Sequence, residues 1–132
     1  QDLFRARAAI EPSGVLWGDF SDAAALVELT ESARAFAARG EHQEVSNINQ
    51  CFHRALVASL GSPTLDEQMG NLLARMRLTF LLVIPRYPLL HADHIDSNVE
   101  LAGLIARGER RAAADLSHAT LRATCDKILA VV

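Results

Sequence analysis

The stretch that decides the fold reads NQCFHRALVASLGSP, from Asn49 to Pro63. Asn49 and His53 stand one helical turn apart beside an apolar stripe, so both side chains project from the same face of an amphipathic helix. Gly61 comes directly after the periodic segment, at the position where a left-handed residue commonly ends a helix. The stretch therefore predicts a helix with a polar pair next to a face that must pack against other helices.

Similar signals for helix starts and ends occur on either side of this segment. Gly40 and Gly108 mark two further helix ends, and Ser21-Asp22 supplies a start for the segment that runs to Arg39. Thr64-x-x-Glu67 resembles a capping box that starts the next long segment.

The remaining helices are predicted from periodicity and from breakers. The fifth runs from Leu89 or Leu90 to Arg107, and the sixth from Glu109 to Val132. The first is helix-like from Asp2 but is interrupted by Pro12 and Gly14, which predicts a kinked or restarted helix. Because no alternating strand pattern competes, we expect an all-α fold, an antiparallel bundle of six to seven helices.

Composition limits the functional class. The chain has 132 residues, half of them hydrophobic, and a net charge of -3, which fits one compact domain over residues 1–132. Its basic residues form no block, so this chain alone is not expected to bind DNA. Cys51 and Cys125 have no metal-site spacing and are better interpreted as buried thiols than as a disulfide scaffold, in a reducing cytoplasm. No apolar run approaches the length of a membrane span, so no membrane partner is expected.

Several polar side chains stand on predicted apolar faces. His53 could be a metal ligand, a general base, an effector contact or a buried structural histidine. His94 and Asn98 share a face of the fifth helix, and Thr120 shares an inward face of the sixth. His91 and His118 are more simply interpreted as exposed or capping side chains, an interpretation that also applies to His94.

Four stretches resemble the FCD domain, the C-terminal sensing domain of FadR-type GntR transcription regulators. The segment from Asn49 to Pro63 is similar to the family's D-x-x-F-H-x-x-L and G-N/S-P pattern. Arg7–Pro12, Asn98–Glu109 and Ala112–Leu121 are similar to three other patterns of the family. The resemblance implies a homodimer that binds a small-molecule effector inside the bundle. It also implies that DNA is bound only through an N-terminal winged helix-turn-helix domain, which is absent from this chain.

Many FCD domains hold a divalent metal with one Asp and three His. The resemblance carries those positions to Asn49, His53, Asn98 and Thr120, of which His53 alone retains a family ligand. Neutral amides and a hydroxyl are poor ligands for a transition ion, so we expect no metal cofactor, with zinc or nickel as the less favoured alternative. In a shifted register His94 would take the place of Asn98 and leave a weak site.

The uncharged groups and the imidazole predict a small-molecule pocket instead. Arg7 is the candidate counter-charge, which makes the expected effector an anion, most simply a carboxylate. The alternative for Arg7 is a surface ion pair with Glu11 at the favourable i,i+4 spacing. The predicted ligand-binding residues are therefore Arg7, Asn49, His53, His94, Asn98 and Thr120, with no catalytic residue among them.

Two other functions remain open at the level of sequence. One is a small all-α enzyme that uses His53 as a general base, although the sequence places no carboxylate to orient its imidazole and no nucleophile beside it. The other is a dimerisation module whose pocket is vestigial. We expect the sensing and dimerisation domain of a bacterial regulator.

Overall fold

The computed structural model describes residues 1–86 and 90–132, apart from the side chain of His91. Over those residues the chain forms six α-helices and no strand, which confirms the predicted all-α bundle. The helices are α1 (Asp2–Trp17), α2 (Ala23–Ala38), α3 (His42–Ala58), α4 (Pro63–Val83), α5 (Leu90–Ala106) and α6 (Arg110–Val131). The alternative start of α5 at Leu89 lies outside the described residues. No described helix is both long enough and apolar enough to cross a bilayer.

The glycine signals identify three helix ends correctly. Gly40, Gly61 and Gly108 have φ values of 71°, 66° and 76°, a left-handed conformation in which a side chain would be strained. The start of α2 is also as predicted, because the Asp22 carboxylate accepts a hydrogen bond from the amide of Ala25 at 3.2 Å.

The predicted start of α4 is wrong by two residues. Ser62 is the N-cap, since its hydroxyl accepts a hydrogen bond from the amide of Leu65 at 3.2 Å, and Pro63 occupies the first helical position. Proline is well suited to that position because its φ is preset and the amide hydrogen that it lacks would have no helical partner. The Thr64 capping box is therefore displaced by a stronger local signal.

Helix α1 is continuous through Pro12, so of the two predicted alternatives, a kinked or a restarted helix, the restarted one is wrong. A proline removes one backbone hydrogen bond, and the packing of the following turn compensates for that loss. Gly14 lies so close to α3 that a Cβ atom there would overlap the backbone carbonyl of Leu56. Val15 is fully buried beside this crossing with Phe52 and Leu56.

The helices pack so that α1, α3 and α5 bring their polar faces inside the bundle. Helix α1 packs on α6, α3 and α4, while α5 packs on α2, α3 and α6. Arg110 at the start of α6 donates to the backbone oxygens of Val15, at 2.7 Å, and Gly18, and its guanidinium lies 4.7 Å from the ring centre of Phe20. This contact holds the end of α1 against α6.

Candidate functional site

A buried ion network connects α1 to α3. Glu11 accepts a hydrogen bond from Arg7 Nε at 2.5 Å, and its other carboxylate oxygen lies 2.7 Å from His53 Nδ1. Glu11 is fully buried, and Arg7 and His53 are 4% and 7% exposed. The imidazole is therefore fixed in orientation by a carboxylate that belongs to another helix.

The electrostatics of Glu11 follow from its neighbours. Burial by itself raises the pKa of the carboxyl group, but the charge of Arg7, together with the charge and hydrogen bond of His53, lowers that pKa from 4.5 to about 2. Glu11 is therefore an anion throughout the physiological pH range and balances the buried guanidinium.

Two expectations from the sequence are corrected by this network. Arg7 pairs with Glu11, as in the alternative interpretation, but the pair is buried and not on the surface. Arg7 therefore already has a carboxylate partner within the bundle. The expectation that no carboxylate orients His53 is wrong, because Glu11 does so from 42 positions away in the sequence.

A second polar contact joins α3 to α5. The Asn98 amide nitrogen donates to the side-chain oxygen of Asn49 at 2.7 Å, and both residues are buried. His94 lies beside them and helps to line a void of about 10 Å³, which has room for about one water molecule. Three predicted residues thus meet here, but no metabolite fits among them without movement of the helices.

A larger cavity lies between α5 and α6. Its volume is about 260 Å³, and it is lined by Leu90, Asp93, His94, Ser97, Ala119, Thr120, Ala123, Thr124 and Lys127. His94 lines both this α5–α6 cavity and the small void at Asn49 and Asn98. It therefore connects the open cavity to the buried amide pair.

The polar groups of the α5–α6 cavity were only partly identified from the sequence. Thr120 and His94, two of the predicted ligand-binding residues, both line this cavity. His53, a third, does not. Lys127 Nζ lies 3.9 Å from Asp93 Oδ2, and the two side chains are 56% and 40% exposed. No local motif marks these two residues, because they lie on different helices and come together only by packing. His118, by contrast, is exposed as expected, while the side chain of His91 lies outside the described residues.

The donor chemistry of this region suits hydrogen bonding better than metal coordination. Asn49 and Asn98 bond to each other, and His53 Nδ1 faces Glu11. Among the described residues, no group of three or more His, Cys, Asp or Glu side chains is arranged to hold a metal ion. The residues carried over from the family pattern therefore form two separate polar contacts and one cavity, and they do not converge on a single point.

Comparisons with known proteins agree with this architecture. The family model described as the FCD domain matches residues 2–123. A solved structure from Rhodococcus sp. RHA1, described as a candidate transcriptional regulator GntR, matches with a TM-score of 0.84 and 26% sequence identity, over 99% of this chain and 64% of that chain. This chain thus spans less than two thirds of that regulator. No curated protein matches the sequence. The chain belongs to the FCD domain family, whose members include the effector-binding domains of GntR-type regulators.

Proposed function

We propose that this domain senses a small anionic metabolite in the cytoplasm and controls a FadR-type GntR regulator as a homodimer. DNA would be bound by a separate winged helix-turn-helix domain, and the effector would bind in the α5–α6 cavity. The observation that carries the proposal is the placement of His94 and Thr120, two residues expected to bind the effector, in one cavity of about 260 Å³.

The charge of the cavity supports an anion with a polar body. Lys127 supplies the cation that Arg7 does not, and its separation of 3.9 Å from Asp93 is longer than a direct hydrogen bond. Ser97, Thr120 and Thr124 add hydroxyl groups that both donate and accept hydrogen bonds. A carboxylate at Lys127 with hydroxyl substituents directed toward the threonines fits this lining.

A switch requires that the effector bind one arrangement of the bundle more tightly than another. The α5–α6 cavity is suited to this role because α6 also packs on α1, at the opposite side from α5. An effector wedged between α5 and α6 would therefore move α6 relative to α1. The proposal includes no metal, since the Asn49 and Asn98 amides bond to each other and the described residues contain no group of three or more His, Cys, Asp or Glu that could hold one.

A thermal-shift screen tests the effector site. Small carboxylates, sugar acids, amino acids, aromatic acids and fatty acids are each tested after chelation, and again with zinc or nickel. A ligand at 100 times its Kd stabilises the folded state by about 2.7 kcal/mol, on the order of 8 °C in a domain of this size. We expect one anion class to raise the midpoint without metal.

Variants localise that response. Thr120→Val and Lys127→Gln should abolish the shift, while Thr64→Val, at an exposed threonine of α4, should retain it. A shift that appears only with added metal would contradict the metal-free site. If no compound raises the midpoint, the vestigial dimerisation module replaces the sensor.

The proposed dimer uses the exposed face of α4. Leu78, Leu81 and Leu82 are 66%, 63% and 79% exposed, an apolar surface that a stable soluble domain usually covers. Sedimentation equilibrium should show a dimer that Leu82→Glu converts to a monomer. Leu129→Glu, on α6, is the matched control and should remain dimeric. A wild-type monomer at all concentrations would contradict the proposal.

The enzyme alternative requires a carboxylate that orients His53 and a nucleophile beside it, and only the first is found among the described residues. Glu11 does orient His53, as a general base would require. The carboxylate is shared with Arg7, however, and no hydrogen bond from His53 to a Ser, Thr or Cys side chain is seen among the described residues. Cys51, two positions before His53, is exposed, and Cys125 is half-buried, so the expectation that both thiols are buried is wrong. The arrangement is that of a structural network, and the family supports a regulatory domain.

A further inference from the structure

A second groove lies on the opposite side of α6, against α1. Its volume is about 410 Å³, within the range of small-molecule sites. The lining residues are Gln1, Phe4, Arg5, Ala8, His118, Leu121, Arg122, Cys125 and Asp126. We call this the α1–α6 groove; it is distinct from the α5–α6 cavity.

Its lining is divided into an apolar part and a cationic part. Phe4 and Leu121 are buried and Ala8 and Cys125 are half-buried, so they form an apolar floor. Arg5 and Arg122 are exposed and come from the two different helices that flank this floor. Asp126 is the acidic residue of the lining, so the lining includes two guanidinium groups and one carboxylate.

Among the described residues, Arg5 and Arg122 lack the carboxylate partner that four other arginines of the bundle have. Arg7, Arg34, Arg39 and Arg107 each form an ion pair with a carboxylate. Neither Arg5 nor Arg122 lies within 4.0 Å of a carboxylate oxygen of another residue in the ranges 1–86 and 90–132. Their donor groups are therefore available to an external anion.

We propose that the α1–α6 groove binds a small amphiphilic monocarboxylate. Its carboxylate would lie between the guanidinium groups of Arg5 and Arg122, whose planar donors match a carboxylate in a bidentate geometry. Its hydrocarbon part would cover Phe4 and Leu121 and would gain from the burial of apolar surface. A second carboxylate on the ligand would be repelled by Asp126.

This site is separate from the proposed effector cavity, although both adjoin α6. Thr120 and Lys127 face the α5–α6 cavity, whereas Leu121 and Arg122 face the α1–α6 groove. Helix α6 therefore separates two cavities whose contents can differ. The proposal does not depend on the identity of the effector between α5 and α6.

Cys125 provides a local readout because it lines the groove. In a Cys51→Ser background it is the remaining thiol, and its alkylation by neutral iodoacetamide can be followed by intact mass. Benzoate and hexanoate serve as probes, with benzyl alcohol and 1-hexanol as uncharged controls. If only the ligand-free form reacts, the rate falls by 1 + [L]/Kd, about sixfold at five times Kd.

We expect the carboxylates to slow alkylation and the alcohols not to do so. The variant Arg5→Gln with Arg122→Gln should lose the protection. Arg111→Gln, at an exposed arginine of α6 outside the groove, and Lys127→Gln should keep it. Loss of protection in Lys127→Gln would assign the effect to the α5–α6 cavity and overturn the proposal.

Two other outcomes would also overturn it. Equal protection by acids and alcohols would show an apolar groove without anion recognition, and this comparison needs no arginine variant. Absence of protection by either acid at 100 mM would show that the groove does not bind monocarboxylates. Circular dichroism of each variant confirms that the helical bundle is intact.

Discussion

The substitution Glu11→Gln tests the buried ion network most directly. The change keeps the size of the side chain and removes its negative charge. Arg7, which is 4% exposed, then keeps its positive charge inside the bundle without a counter-ion. His53 also loses the carboxylate that lies 2.7 Å from its Nδ1 atom.

The loss of stability expected for Glu11→Gln can be estimated from the ion pair and from the pKa of Glu11. Breaking a buried ion pair by removing one partner costs about 3–5 kcal/mol, because the other charge remains desolvated. The same contacts with Arg7 and His53 lower the pKa of Glu11 from 4.5 to about 2 in the folded protein. At about 1.4 kcal/mol for each pH unit, this corresponds to about 3 kcal/mol of stability at neutral pH. We therefore expect Glu11→Gln to lower the free energy of unfolding by about 3 kcal/mol.

The pH dependence has a definite sign. Since the pKa is lower in the folded than in the unfolded state, the unfolded state binds the proton more readily. The contribution of Glu11 is therefore fully present above pH 4.5 and is lost as the pH falls toward 2. The stability of the wild type should decline through this interval more steeply than that of Glu11→Gln.

Urea unfolding followed by circular dichroism measures both effects. Trp17 is 76% exposed and would be a weak fluorescence probe. Glu28→Gln, at an exposed glutamate of α2 with no ion pair to another described residue, is the matched control and should change stability little. Arg7→Met combined with Glu11→Gln should be more stable than Glu11→Gln alone, because no uncompensated cation remains. A loss below about 1 kcal/mol for Glu11→Gln, or a double variant that loses the sum of the two single changes, would refute the network.

Three further predictions follow from other contacts. Gly14→Ala should destabilise the bundle by more than about 2 kcal/mol in urea unfolding, because its Cβ would overlap the Leu56 carbonyl. Gly103→Ala is the control and should be tolerated, because its Cβ would meet only a flexible arginine side chain. Arg110→Met should lower the free energy of unfolding by about 1–3 kcal/mol, because the hydrogen bonds to the end of α1 are lost. Arg111→Met, at an exposed arginine, is the control and should change stability little. Equal effects of the two substitutions would contradict the contact. After mild chelation, metal analysis of the purified chain should find less than about one ion per several chains, and a stoichiometric metal would contradict the metal-free interpretation.

The fold was predictable because its signals are local. Helical periodicity and the glycines at 40, 61 and 108 establish where most helices lie, and the structure bears them out. The errors concern competition between local signals. Ser62-Pro63 begins α4 in place of the Thr64 box, and α1 continues through Pro12 into Gly14, which packs closely on α3.

The candidate site was less predictable because its contacts join distant parts of the chain. Periodicity placed Asn49 and Asn98 on inward faces, and their side chains do meet. It could not show that Glu11 reaches His53, because that distance depends on how α1 crosses α3. The pairing of Lys127 with Asp93 depends in the same way on the packing of α6 against α5.

Charge balance gives a physical reason to expect this region to function without a metal. The single carboxylate of Glu11 is already neutralised by the guanidinium of Arg7, and the neighbouring position 49 is a neutral amide. A divalent ion bound here would add two positive charges to a buried layer that is already balanced, and uncompensated charge is costly where water is excluded. An acidic residue at position 49 would offset part of that charge, but Asn49 cannot. The same argument supports Lys127 over Arg7 as the cation for the proposed anionic effector, because its side chain is half exposed and its Nζ lies 3.9 Å from Asp93 Oδ2.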